Sequence, residues 1–166
     1  MGEPMLNHEN LCNAITHLNY YFRNAELLVS TMAPKNEAAF SDFLTISKKI
    51  KKIGLQFSIH EAIESKRNLL IPFKNKYSLR EIRDYGCIWN KETERPVYLN
   101  YCISNNNHDE SDLSRFMDLF SPAVFNVTLS VVCSADENMK EAGFRNMNVI
   151  KDVSDTFLKS GYNVRI

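Results

Sequence analysis

The chain has 166 residues, 44% of them hydrophobic and 11% aromatic, which is enough for one domain with a real core and too apolar for a disordered segment. Twenty Lys and Arg cancel twenty Asp and Glu, so the whole-chain field excludes the broad polyanion attraction of a strongly basic nucleic-acid-binding protein. With no leader pattern and no long apolar run, the expected setting is the cytoplasm, without a membrane partner.

The chain opens on Met1-Gly2-Glu3-Pro4. A Gly-Glu-Pro turn is ordinarily reached after a strand, where glycine lets the backbone approach a ligand and glutamate receives an ammonium group. No strand precedes it here, so the expectation is a chain cut from a larger one, with part of its site left behind. From Glu9 to about Phe22, Leu11, Ile15, Leu18 and Phe22 recur at helical spacing. Leu27–Thr31 is a short extended run, and a helix is expected from about Glu37 to Ile53, with Gly54 as its stop. The basic run Lys48–Lys52 reads as the solvated face of that helix, an RNA contact being the alternative. Leu55–His60 is the next strand.

Ser78 and Glu81 form a capping box, starting a helix that runs to about Asn90. Val97–Ser104 is extended, Glu110–Phe120 is helical, and Val124–Cys133 is the longest strand expected. A last helix spans Met147–Ser160, closed by Gly161, and Asn163–Arg165 adds a short strand. Loops are expected over 61–77, 91–96, 104–109 and 134–146, the last long enough to be a flap. Cys12, Cys87, Cys102 and Cys133 show neither metal-ligand spacing nor a disulfide pattern, so no metal site is expected. In a reducing compartment the sequon Asn126-Val127-Thr128 is chance.

Alternation of strands and helices predicts α/β architecture around a parallel sheet. Within the strands, Gln56, Ser58 and His60 share one face, as do Tyr98, Asn100 and Cys102, and Asn126, Thr128 and Ser130. Parallel strands buried on both faces read as continuous apolar runs, and these do not. A solvated face or a curved sheet lining a polar cavity would each produce the pattern. Helices on the apolar face favour the cavity.

Three segments together resemble the radical S-adenosylmethionine (SAM) superfamily, within it the RNA adenine C2-methyltransferases. They are Met1–Asn7, Leu28-Val29-Ser30-Thr31, and the stretch from Gln56-Phe57-Ser58-Ile59-His60 through Glu64, Arg67 and Ile71-Pro72 to Tyr77. The resemblance implies an incomplete βα barrel, a curved parallel sheet with outer helices. Residues 1–166 would form a single domain, with ligands at the C-terminal ends of the strands. By resemblance, Gly2 and Glu3 receive the methionyl ammonium of SAM, Ser30 touches its methionyl or ribose part, and Ser58, Ile59 and His60 meet its ribose or adenine. The bland alternatives are a frayed terminus for Glu3, a turn-initiating serine for Ser30 and a structural histidine at 60. Arg67 could pair with a carboxylate or phosphate, or anchor a loop.

Departures accompany the matches. Glu61-Ala62 stands where the family has Ala-Pro. Thr128–Cys133 stands for a segment ending in a SAM-contacting asparagine, so Cys133, or Ser134 with a one-residue shift, falls at that contact, and Ser130 is a further candidate SAM contact. The Cys-x3-Cys-x2-Cys triplet that holds a 4Fe-4S cluster is absent, and the methyl-carrying cysteine would lie beyond Ile166. The function expected is the SAM-binding C-terminal portion of such an enzyme, without catalytic residues of its own and inactive in isolation. The cluster would sit in the parent chain only, RNA would be met through the missing parts, and bare sheet edges could drive self-association. Two alternatives remain: a divergent radical SAM enzyme acting on a peptide or protein, and a small non-enzymatic α/β protein binding a nucleotide or partner.

Overall fold

The structure, a computed structural model, describes residues 2–104, 107–131, 136 and 138–166, with the backbone alone at Met139 and Phe144. After one 3-10 turn at Pro4–Leu6, the elements are α1 (His8–Tyr21), β1 (Leu27–Thr31), α2 (Glu37–Lys49), β2 (Ile53–Ser58), α3 (Glu64–Leu70) and α4 (Leu79–Thr93). Then come β3 (Val97–Ile103), α5 (Glu110–Leu119), β4 (Phe125–Val131), α6 (Met139–Arg145), α7 (Met147–Lys159) and β5 (Val164–Arg165). All four strand pairings are parallel and the spatial order is β1-β2-β3-β4-β5. Right-handed crossovers in such an order put every connecting helix on the same side. The α/β parallel sheet with outer helices expected from the sequence is therefore present, as the wall of a barrel rather than a closed one.

Burial confirms which face the helices cover. Ile53, Leu55 and Phe57 of β2, Val97, Leu99, Tyr101 and Ile103 of β3, and Phe125, Val127 and Leu129 of β4 are all buried. They pack in one cluster with Phe40 and Phe43 of α2, Ile82 and Trp89 of α4, Phe116 of α5 and Phe157 of α7. Aromatic edges fit the gaps: Phe40 meets Tyr85 at 4.7 Å between centroids, and Phe116 meets Phe157 at 4.9 Å. Such pairs contribute about 0.5–1.5 kcal/mol beyond their buried area. Helix α4 comes close enough to the sheet that a Cβ on Gly86 would lie 2.6 Å from the Phe125 ring.

Several boundaries differ from expectation. Helix α2 ends at Lys49, because Ile50 turns extended, and Gly54 lies inside β2 rather than stopping the helix. Its neighbour in register is Leu28, whose Cδ1 would sit 2.9 Å from a Cβ there, so glycine serves close packing. The loops expected over 61–77 and 134–146 contain α3 and α6, seven-residue helices too short to display an apolar stripe. Helix α4 continues past Asn90 to Thr93, where Glu94 turns left-handed at φ 59°. The capping box is present in both directions between Ser78 and Glu81. Residues 132 and 133, expected to end β4, lie outside the described residues, as do 134, 135 and 137 of the expected flap.

Candidate functional site

The bare face of the sheet is polar, and its upper half, toward the strand C-termini, is a connected network. In register across the sheet run Ser30 and Gln56 on β1 and β2, then Ser58, Asn100 and Thr128 on β2, β3 and β4. Gln56 donates to Ser30 Oγ at 3.2 Å, and the Ser30 and Ser58 hydroxyls lie 3.4 Å apart. Ser130 donates to Asn100 Oδ1 at 2.8 Å. Ser30 is exposed and Ser58, Asn100 and Ser130 are half-buried, so their remaining hydrogen-bonding capacity faces outward.

The opening segment is tied to the top of β1. Glu3 Oε1 accepts from Thr31 Oγ1 at 2.5 Å and from Met5 N at 3.1 Å, and Oε2 accepts from Met32 N at 2.9 Å. Met5 is fully buried, and its carbonyl accepts from Asn36 Nδ2 at 3.0 Å. The frayed terminus considered from sequence is therefore not what forms. A carboxylate offers about four lone-pair sites, and three are filled by the fold. One remains on Oε2 for an incoming donor, while Gly2 beside it is exposed.

Both loops that leave this end carry a left-handed residue two positions past the strand: Ala33 at φ 64° after β1 and His60 at φ 59° after β2. Non-glycine residues in that region are uncommon and gather where surrounding structure over-determines the backbone. For His60 that structure is explicit. Asn100 O accepts from both Ile59 N at 3.2 Å and His60 N at 3.1 Å, and the His60 carbonyl accepts from Asn107 Nδ2 at 2.9 Å. Burial, and secondarily the Arg67 charge, hold the imidazole below its ordinary pKa, which keeps the ring neutral at pH 7. Its Nδ1 is buried and has no hydrogen-bond partner among the described residues. Ile59 buries its side chain completely, so only its backbone could face a ligand.

Arg67 lies elsewhere. It is fully buried, donating to Tyr77 O at 2.8 Å and Met32 O at 3.0 Å, with Glu64 at 3.6 Å. Its guanidinium joins the β1 and β2 loops to the start of α4, the anchoring alternative. Glu61, next to His60, is 2% exposed, with one carboxylate oxygen unpartnered. Burial pushes its carboxyl up, opposed by Lys66 and assisted by Asp112, which themselves pair at 3.2 Å. Cys133 and Ser134, expected near the adenosine contact, lie outside the described residues.

Sequence reasoning missed Thr31, Asn100 and Asn107 as parts of the site. Only Asn100 left a signal, its polar side chain alternating with Leu99 and Tyr101. Thr31 ends β1 and Asn107 lies in the loop after β3, and no local pattern foretells either role. Among the described residues, no group of three or more His, Cys, Asp and Glu could hold a metal ion, and no helix is long and apolar enough to cross a membrane. Cys12, Cys87 and Cys102 sit on α1, α4 and β3, three separate elements.

No family model matches the chain. Proteins named "Probable dual-specificity RNA methyltransferase RlmN" do match it. The one from Thermotoga petrophila is 25% identical over 167 aligned positions, spanning 100% of this chain and 48% of that protein. The one from Petrotoga mobilis is 27% identical over 97% of this chain and 46% of its own length. The match falls on the C-terminal half of these relatives, so the chain spans about half the length of the curated relatives it resembles. A crystal structure of a radical SAM methyltransferase from Sphaerobacter thermophilus superposes with a TM-score of 0.75 at 18% identity, over 99% of this chain and 48% of that one. That likeness establishes the fold: a radical-SAM-type parallel sheet, in part.

Proposed function

We propose that this chain, similar throughout to the C-terminal half of radical SAM RNA methyltransferases, forms part of their SAM cradle and is catalytically inactive by itself. The observation that carries the reading is convergence. Glu3, Ser30, Ser58 and His60 come from three separate stretches of sequence, and the fold assembles them at the C-terminal end of one sheet. Glu3 keeps a free lone pair and Ser30 and Ser58 keep hydroxyl capacity, while His60 carries a buried imidazole nitrogen without a partner among the described residues.

Those groups fit SAM. Its ammonium would take the open Glu3 lone pair beside Gly2, and its ribose hydroxyls would meet Ser30 and Ser58. The adenine would lie near the Ile59 backbone and neutral His60. Bound SAM would supply a sulfonium centre for reductive C5′–S cleavage to methionine and a 5′-deoxyadenosyl group, the electron coming from outside the described residues. The chain's own residues bind and orient it and shield one side from water. The described residues do not fit a 4Fe-4S cluster, since their three cysteines lie on separate elements. Placement of the cluster and of an RNA-contacting surface in the unmatched half of the relatives belongs to the same proposal.

Calorimetric titration of the whole chain with SAM tests it. A charge-assisted hydrogen bond contributes about 1.5–3 kcal/mol, so Glu3→Gln should weaken binding by roughly ten-fold or more, and Ser58→Ala by less. No saturable binding, or equal affinity in wild type and Glu3→Gln, would sink the proposal. SAM cleavage by the chain under reducing conditions would refute the inactivity.

A further inference from the structure

The opposite end of the sheet holds a pocket. It opens on the bare face where β1, β2 and β3 begin, with a volume of about 210 Å³. Its floor is Leu28 and Gly54, kept low because glycine adds no Cβ beneath Leu28, and the Tyr98 ring rises beside it. Four cations line it, Lys51, Lys52, Arg95 and Arg165, against one carboxylate, Glu26.

None of the four makes an ion pair with a described carboxylate, although basic and acidic residues are equal in number over the whole chain. They are positioned instead by neutral groups. Arg165 stacks on Tyr98 at 4.3 Å from the ring centroid and donates to its hydroxyl at 2.9 Å. Lys52 donates to Arg23 O at 2.5 Å, and Lys51 is exposed. Arg95 donates to Ser47 O and Ile50 O at 2.5 and 3.0 Å and lies over Trp89, while its buried Nε has no partner. Capping the end of α2 accounts for Arg95 alone. It leaves three cations, Lys51, Lys52 and Arg165, against the single carboxylate of Glu26 around one concavity, where low-dielectric walls concentrate the field.

We propose that this pocket binds a phosphate group, carried either by an RNA backbone or by a free nucleotide-sized molecule. It lies at the N-terminal ends of the strands, away from Glu3, Ser58 and His60, and does not depend on SAM binding. Planar guanidinium and compact ammonium groups suit phosphate oxygens, and the leucine and tyrosine beside them suit the sugar or base attached.

The test uses the whole chain at low salt with two probes: sodium pyrophosphate, followed by the amide resonances of Gly54 and Tyr98, and a fluorescent RNA of about ten nucleotides, followed by anisotropy. Saturation by both supports a site that accepts free phosphate, and saturation by RNA alone supports one that reads a phosphate chain. In either case the double variant K51Q/R165Q should weaken binding at least ten-fold, while K74Q on a distant exposed lysine should not. Each lost phosphate contact should flatten the RNA salt slope by about 0.7. Lys51 is exposed and has no partner among the described residues, so K51Q alone should fold normally and still weaken binding several-fold. No saturable binding of either probe, or affinity unchanged in both K51Q and the double variant, overturns the proposal.

Discussion

Glu3 shows how much one side chain can decide. Its carboxylate joins the opening turn to Thr31 and Met32 at the end of β1, so it orders the segment and also leaves Gly2 beside the polar face. Glu3→Gln keeps the shape but removes the charge and turns one acceptor into a donor facing donors. Loss of about 1–2 kcal/mol in urea unfolding is expected, with faster amide exchange at Met32. Two titrating groups nearby act in opposite senses. The His60 pKa is lowered in the fold, so its contribution is complete above the ordinary imidazole value and is lost as pH falls through the folded pKa. The Glu61 pKa is raised, so its contribution is present in acid and lost as pH rises through the folded value. Glu61→Gln should therefore raise the melting temperature at pH 8 and leave it nearly unchanged at pH 4. Equal effects at both pH values would contradict a buried, ionisation-resisting carboxyl.

At the scale of elements, what was legible had a period. Helix α2 starts at Glu37 as expected, alternation through Val97–Ile103 matches β3, and the Ser78–Glu81 pair marks the start of α4. Ser78→Ala should cost about 1 kcal/mol by leaving the Glu81 amide without its cap. What was not legible was held by tertiary contacts. Helix α3 has Leu69 and Leu70 exposed, so no amphipathic face announces it, and Arg67 fixes it from within. Arg67→Met would leave the Met32 and Tyr77 carbonyls without that donor and Glu64 without its ion pair. The expected loss is about 3 kcal/mol, read from thermal or urea unfolding, with loosened loops after both β1 and β2. A variant as stable as wild type would mean that the guanidinium is not what joins those loops. Gly54 was misread because a glycine after a helical stripe and a glycine under a neighbouring leucine look alike in one dimension.

Over the whole molecule, the polar face was visible as alternation, but its two ends were not, because strand direction and register are properties of the assembled sheet. The same holds for its edges, which differ. β5 is two residues long and ends the sheet with Arg165, a charge that discourages further pairing. β1 is five residues long with no described strand on its outer side. Leu28 on it is 49% exposed, and Tyr20, Tyr21 and Phe22 at the end of α1 are 67%, 71% and 60% exposed. An unpaired strand edge and exposed apolar side chains both favour association. We predict that the chain sediments as dimers or larger species at tens of micromolar, and that Leu28→Lys with Tyr21→Lys restores monomers with unchanged circular dichroism. These substitutions add charge at the edge and remove no described core contact, so loss of the fold is not expected to confuse the result. Monomeric wild type at that concentration would show that the β1 edge is protected by something other than the residues that line it.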